Sequence, residues 1–395
     1  MPVRATKRGD ERTPLDGEYD VLICGASFAG LAVARELQGS GARVLMIDRY
    51  EIGERQTSAC AAPTKWLVNL GLEASIKQTF AKLVVHRPTK SYEWRLPFSF
   101  STFDYRELCA LLRAQGDEAR FETAKVDGRT GNVIHTDRGD LTARLIVDAT
   151  GWRRTLSNAP EAIQPPEARL SRGLEVHPPA TGEDLELWLD PKYVPAGYGW
   201  AFPADGEVRI GVGSFDPRKH VKTETVQLTH DLGLEPNEYH GNWIPHELRD
   251  ATEDGVFFAG DSAGHCLPLT AEGIRTALYF GLAAGRELRL VLDGSQSRER
   301  ALERYAAFSE QSRRPFRWLL RMQCAVGPLN ARPKANWLLD VMSNPRFVTW
   351  IFGYYYRIAD ADFVLAGPSP KAGSRRVPVS VDPSDAHGHS RRALP

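Results

Sequence analysis

The sequence lacks most of the features that mark a specialised class. Its 395 residues hold five cysteines, Cys24, Cys60, Cys109, Cys266 and Cys324, an odd number, widely spaced and with no C-x-x-C pair. That pattern excludes a full disulfide framework and an obvious zinc site, so no metal is expected. A reducing compartment is expected with it, and hence a cytoplasmic protein. Neither sign of charge is in excess: 50 Lys plus Arg face 50 Asp plus Glu. A generic nucleic-acid binder would be basic, so no nucleic-acid partner is expected. The opening MPVRATKRGDERTPLDGEYD has no apolar h-region and does not read as a secretory signal. No run of ~18 uncharged apolar residues occurs, so no transmembrane helix is expected. The nearest approach, FVTWIFGYYY from Phe347 to Tyr356, is too short to span. It reads as a core helix, or as an apolar rim that touches a greasy substrate or a membrane.

What is present belongs to a folded protein. Hydrophobic residues make up 42% and charged residues 25%, the balance of a globular body. The length suggests two or three domains with a large core. No internal repeat is visible. Residues 1–16 and 367–395 read as flexible tails, the second rich in Pro, Ser, Gly and Arg. Between them, residues 19–49 alternate strand and helix. Short alternating runs with turn signals at 81–100 and 160–250, such as DLELWLD and WAFPADGEVRIGVG, suggest antiparallel sheet. Residues 297–365 carry helical apolar spacing, as at Leu302, Tyr305, Ala306 and Phe308.

The strongest signal is YDVLICGASFAGLAVARELQGSGARVLMIDR. Asp20 to Cys24 reads as a buried strand, Gly25 to Gly30 as a tight turn, Leu31 to Gln38 as a helix, and Arg43 to Ile47 as a second strand ending in Asp48. A dinucleotide site needs this order, because the helix N-terminus offers free N–H groups and a positive dipole to a pyrophosphate. The acid closing the second strand binds a ribose hydroxyl pair. Asp48 lies 23 positions beyond Gly25, near the usual ~20. Ser27 stands where the middle glycine of G-x-G-x-x-G belongs; it is small, and its hydroxyl is able to donate to phosphate. Gly25, Ser27, Phe28, Ala29, Gly30 and Asp48 are thus nucleotide-site candidates, with Arg49 beside them.

Two further strand-then-turn segments follow: RLIVDATGWRR, with Ala149 and Gly151, and GVFFAGDSAGHCLPLTAEGIRTAL, with Gly260 and Asp261 and a helix opening near Gly273. In this order the three motifs resemble the large flavoprotein family that includes aromatic hydroxylases, flavin halogenases and geranylgeranyl reductases. The resemblance covers roughly residues 19–290. It implies an α/β plus β fold: a Rossmann-like (GR2-type) FAD domain, an interleaved antiparallel β-sheet substrate domain and a helical C-terminal region. The implied division is 17–80, 101–158 and 252–296 for FAD, 81–100 and 159–251 for substrate, and 297–366 for the helices. It implies that Asp261 holds a ribityl hydroxyl and that the backbone at Gly273 and Ile274 faces the flavin N1 and O2 edge. Reduced flavin is anionic there, and the helix dipole stabilises that charge. Val126 joins the implied FAD contacts, and either Arg55 or Arg106 reaches the phosphates or ribose.

The segment Gly197 to Pro203, GYGWAFP, resembles the Y-x-W-x-F-P signature of geranylgeranyl reductases. The resemblance implies that Tyr198, Trp200 and Phe202 line the substrate cavity, which agrees with the flat apolar wall that such a strand would form. Flavin halogenases carry a similar W-x-W-x-I-P. The implied reaction is hydride transfer from flavin N5 to a carbon–carbon double bond of an apolar, isoprenoid-like substrate. The alternative is oxygen-using hydroxylation or halogenation of an aromatic or polyketide-like one. NADPH or NADH would serve as transient donor, since no second dinucleotide fingerprint is present. An isolated alkene needs a proton donor; the candidates are Cys60, Tyr198 and His265. Cys60 reads equally as a buried inert thiol and His265 as a structural histidine. Peripheral membrane contact is an open expectation, as is the oligomeric state.

Overall fold

The computed structural model describes residues 13–158, 170–326 and 334–367. Most of both expected tails lies outside them. The chain opens with β1 (Glu18–Cys24), α1 (Phe28–Leu37) and β2 (Val44–Asp48). Next come β3 (Ala61–Pro63), α2 (Thr64–Asn69), β4 (Ile76–Arg87), β5 (Lys90–Phe103) and α3 (Tyr105–Gln115). The strands β6 (Arg120–Thr123), β7 (Val126–Thr130), β8 (Val133–Thr136) and β9 (Gly139–Asp148) follow. Then come β10 (Leu170–Val176), β11 (Leu185–Trp188), β12 (Gly197–Pro203), β13 (Val208–Ser214), α4 (Lys222–Asp231) and β14 (Tyr239–Pro245). The chain closes with β15 (Thr252–Glu253), β16 (Val256–Phe258), α5 (Ile274–Leu292), α6 (Arg298–Glu310), α7 (Arg313–Val326), α8 (Lys334–Met342), α9 (Pro345–Arg357) and α10 (Asp362–Leu365).

The strands form two sheets. The first runs β15-β16-β9-β1-β2-β6, with β7 and β8 hung on β9. From β16 to β6 its pairs are parallel. Strands of a parallel sheet are covered on both faces and read as unbroken apolar runs, and VLIC of β1 and VLMI of β2 are buried throughout. Helix α1 packs on α5, so both helix N-termini point to the same edge of the sheet, where β1, β9 and β16 end.

The second sheet runs β14-β10-β13-β12-β11-β4-β5-β3 and is antiparallel except for β11 beside β4. Its β4–β5 hairpin reaches from Ile76 to Phe103, and Ala61–Pro63 joins its edge. The sheet thus takes in more chain than the 81–100 expected from alternation. The C-terminal helices cap this sheet. Tyr92 donates to the Asn336 carbonyl at 3.1 Å and Trp94 Nε1 to Ser343 Oγ at 2.8 Å, which ties α8 to β5. The stretch FVTWIFGYYY forms most of α9, with Val348 and Tyr355 buried and Trp350 59% exposed. Among the described residues no helix is long and apolar enough to cross a membrane.

Candidate active site

A cavity of about 1080 Å³ runs from the edge of the parallel sheet to the cap of C-terminal helices. At its sheet end lie Gly25, Ser27, Phe28, Ala29, Asp48, Arg49, Arg55, Val126, Ala149, Gly151, Gly260, Asp261, Gly273 and Ile274. Gly25 adopts φ +112°, and a Cβ on it would stand 2.1 Å from the Ala149 carbonyl oxygen. A side chain there would push the first and second motifs apart. Gly30 does not line the cavity; a Cβ on it would stand 1.9 Å from the Gly25 carbonyl, so its work is to let the helix sit on the turn.

The helix starts suit a nucleotide. Neither Ser27, capping α1, nor Gly273, capping α5, gives a side-chain hydrogen bond to its helix. Several N–H groups at each start therefore remain for a ligand. The Ser27 hydroxyl lies 3.2 Å from the Tyr105 hydroxyl. Asp48 accepts from the Ala26 and Tyr50 amides at 2.9 and 3.0 Å, and burial holds its pKa above the ordinary value. Arg55 and Arg49 both stack on Tyr50. Arg106 is exposed on the far side of Gly53, outside the lining. The alternative left open by the sequence is thereby resolved in position: Arg55 faces the cavity and Arg106 does not.

Asp148 closes β9 and Asp261 sits in the turn after β16, with opposite environments. Asp148, at 0% exposure, accepts from the Thr150 amide and hydroxyl, the Ser262 hydroxyl and the Leu156 amide, all within 2.9 Å. It welds the second motif to the third. The Asp261 carboxylate accepts no hydrogen bond from the described residues and borders the cavity, while its carbonyl accepts from the Gly264 amide at 3.0 Å. Burial pushes its carboxyl up to about 6, partly opposed by Arg249. An unsatisfied carboxyl aimed into a nucleotide-shaped space, beside two open helix starts and a glycine turn, fits the ribityl side of FAD. When bound and reduced, FAD supplies hydride chemistry.

The opposite wall is one face of the second sheet. Pairing registers place Tyr198, Trp200 and Phe202 of β12 beside Gly213, Gly211 and Arg209 of β13. The same register places Gly173 and Glu175 of β10, and Asn242 and His240 of β14, on that face. Beyond β12 the face turns apolar, with Leu187 and Leu185, then Leu83, Trp94 and Leu96, closed by Leu339, Met342, Phe347 and Ile351 of the cap. Tyr198 donates its hydroxyl to the Thr270 carbonyl, and burial raises its phenol pKa.

Cys60 lines the cavity with a left-handed backbone, φ 49°. Burial pushes its thiol up to about 12, so it is neutral at physiological pH and not a nucleophile. Arg209 fixes this loop: buried at 2% exposure, it donates to the Ala59 and Phe103 carbonyls at 2.9 and 3.0 Å. His265 is not at the cavity. At 0% exposure it stacks on Phe280 at 3.6 Å and shares a 2.9 Å hydrogen bond with Ser309. Burial drives its pKa well down, and it belongs to the packing of α5 on α6, the structural alternative.

Several residues of the site carry no local sequence signal. Glu175, His240 and Arg209 come together only through strand register. Glu272 and Arg275 form a buried pair at 2.7 Å at the start of α5. Arg275, 0% exposed, also donates to the Tyr356 and Ala359 carbonyls at 2.9 and 3.0 Å, holding the end of α9. Trp66 Nε1 donates to the same Ala359 carbonyl at 3.0 Å.

No protein-family model matches the chain. Among curated relatives, digeranylgeranylglycerophospholipid reductase 3 of Methanosphaera stadtmanae is 24% identical over 328 residues, 74% of this chain and 82% of that protein. Geranylgeranyl diphosphate reductase of Rhodobacter capsulatus is 24% identical over 297 residues, 68% of this chain and 73% of that one. Among solved structures, a geranylgeranyl bacteriochlorophyll reductase-like protein from Thermoplasma acidophilum superposes with a TM-score of 0.75 at 17% identity, covering 89% of this chain and 98% of its own. The flavin-dependent brominase Bmp2 gives 0.59 at 14% identity, covering 86% and 98%. PqsL of Pseudomonas aeruginosa, a probable FAD-dependent monooxygenase, gives 0.62 at 18%, covering 82% and 100%. These likenesses bear out the expected resemblance to FAD-dependent oxidoreductases, nearest the geranylgeranyl reductases.

Proposed function

We propose that the chain is an FAD-dependent reductase that saturates a carbon–carbon double bond of an apolar, isoprenoid-like substrate. The observation that carries this reading is the continuity of the cavity: a nucleotide end with open helix starts passes, across a glycine-floored face, into an apolar chamber. Gly25, Ala29, Arg55 and the start of α1 hold the pyrophosphate, Asp48 the ribose and Asp261 the ribityl chain. The backbone at Gly273 and Ile274 steadies the negative charge of the reduced flavin. Trp200 and Phe202 orient the substrate, while Leu185, Leu187 and the cap exclude water. NADPH or NADH serves as transient donor.

The same reading gives the cap a role at a membrane. Trp318 and Trp350 line the cavity and are 38% and 59% exposed, so they stand at its mouth. Trp337 and Val341 of α8 are 69% and 50% exposed. Arg314, Arg317 and Arg321 of α7 are exposed and carry no ion pair among the described residues. Tryptophan and arginine together suit the headgroup layer of an anionic membrane, from which a prenyl chain would enter.

The rival reading, oxygen-dependent hydroxylation or halogenation, draws on the folds of Bmp2 and PqsL. A halogenating site needs a lysine reaching towards the flavin. Lys90, on the β4–β5 hairpin, is exposed, paired with Asp340 and outside the cavity lining, and Lys125, which lines the cavity, stands at its sheet end paired with Asp127. The reductase reading is tested by anaerobic stopped-flow: the reduced holoenzyme, mixed with a prenyl lipid in detergent, is expected to recover its oxidised flavin spectrum. Reoxidation only on admission of oxygen would overturn it.

A further inference from the structure

Saturating an isolated alkene requires an acid as well as a hydride donor. Neither Tyr198, whose hydroxyl is spent on the Thr270 carbonyl, nor the neutral Cys60 thiol is a ready one. The cavity face holds another group. Glu175 is 1% exposed and borders the cavity. One carboxyl oxygen, Oε2, accepts from Trp200 Nε1 at 3.2 Å, and the other, Oε1, lies 2.9 Å from His177 Nε2. The indole reaches Glu175 because Gly211 separates them in the register, and a Cβ on Gly211 would stand 2.3 Å from the ring. The His177 side chain is 10% exposed and its ring stacks at 4.3 Å on that of His240, which also borders the cavity. Burying a carboxyl and two imidazoles in one place is costly and adds little stability; such clusters in clefts mark functional sites.

We infer that Glu175 is the proton donor of the reaction and that His177 reloads it from solvent. The inference rests on the reductase reading above. Hydride from reduced FAD forms a C–H bond at one alkene carbon, and the proton of the Glu175 carboxyl forms the second at its neighbour. The π bond is lost, the flavin is left oxidised, and Glu175 recovers a proton from His177, which takes one from water. The charged and titratable groups around the pair are few. On its own strand it has His177, on β14 His240, and on β13 Arg209, which is engaged with Glu207 at 2.9 Å. Glu207 itself is 3.9 Å from His177 Nδ1, Glu238 lies near His240, and the Cys60 thiol completes the set.

The test uses the full-length holoenzyme and Glu175→Gln, Glu175→Asp and His177→Asn. In E175Q, FAD binding and reduction by dithionite are expected to match the wild type. Substrate-driven anaerobic reoxidation is expected to fall at least ~100-fold, the usual range for a lost general acid. E175D is expected to recover part of the rate, and H177N to steepen the fall of rate with rising pH. A readout independent of turnover is the imidazole NMR titration of His177, whose Nε2 lies 2.9 Å from Glu175 Oε1 and whose pH profile is expected to change in E175Q, since the two groups share one proton site. Wild-type reoxidation rates in E175Q, or an unmoved His177 titration, would overturn the assignment. Wild-type enzyme that no prenyl substrate reoxidises would sink the reductase reading, and the proton role with it.

Discussion

Single side chains divide the labour at the strand ends. The carboxylates of Asp148, closing β9, and Asp261, in the turn after β16, differ: one is saturated with donors and the other has none among the described residues. A folded carboxyl titrating at about 6, against 3.8 when unfolded, binds its proton more tightly in the native state. Stability is then greatest at low pH and declines as pH rises from about 4 to about 6, with no further change above. Asp261→Asn should therefore stabilise the flavin-free protein at pH 7–8 by about 3 kcal/mol, and leave it nearly unchanged below pH 4. The same variant should bind FAD at least ~10-fold more weakly, as a lost charge-assisted bond implies. Thermal unfolding with and without FAD at the two pH values checks both. Asp261 was legible from its Gly-Asp turn, and Asp48 from its distance to Gly25. Glu175 was not, because its burial against Trp200 and its place beside His240, 25 and 65 positions downstream, come only from strand register; the nearby His177 gives no pattern by itself.

Among elements, the strands and helices followed their periodicities, but the tethers between them did not show in the sequence. Helices α6 to α10 are readable from apolar spacing, whereas the clamp that seats α9 joins residues about eighty positions apart. Arg275 anchors that clamp, since it neutralises buried Glu272 and caps the carbonyls at the end of α9. Removing one partner of such a pair strands a buried charge, at about 3–5 kcal/mol. Arg275→Met is expected to destabilise by that order and to speed proteolysis within residues 313–367. The double variant Glu272→Gln/Arg275→Met should regain part of the loss. Urea denaturation followed by tryptophan fluorescence measures the first effect, and timed digestion the second.

At the scale of the whole molecule, the strands of two sheets interleave along the chain. FVTWIFGYYY reads equally as core or rim in the sequence, and α9 buries Val348 and Tyr355 while exposing Trp350. If the cap docks on lipid, Trp337→Ser/Trp350→Ser should weaken flotation with vesicles of phosphatidylglycerol and phosphatidylcholine by at least ~10-fold, at unchanged flavin content. Rising salt should weaken the wild type, as expected where arginines contact anionic headgroups. Equal flotation of both proteins would remove the membrane from the account.

The glycine floor of the chamber has a consequence for what the enzyme can accept. Gly173 and Gly213 line the chamber as bare backbone, and the Trp200 ring covers Gly211 between them. A surface made of main chain has no rotamers to change, so it acts as a fixed gauge of thickness. The opposite wall is made of side chains on helices tied to the body through Arg275, Tyr92, Trp94 and Trp66, and side chains have rotamers to change. Selection among substrates of different length or branching would then be written in the roof of the chamber, while the floor holds the reacting bond at one constant height.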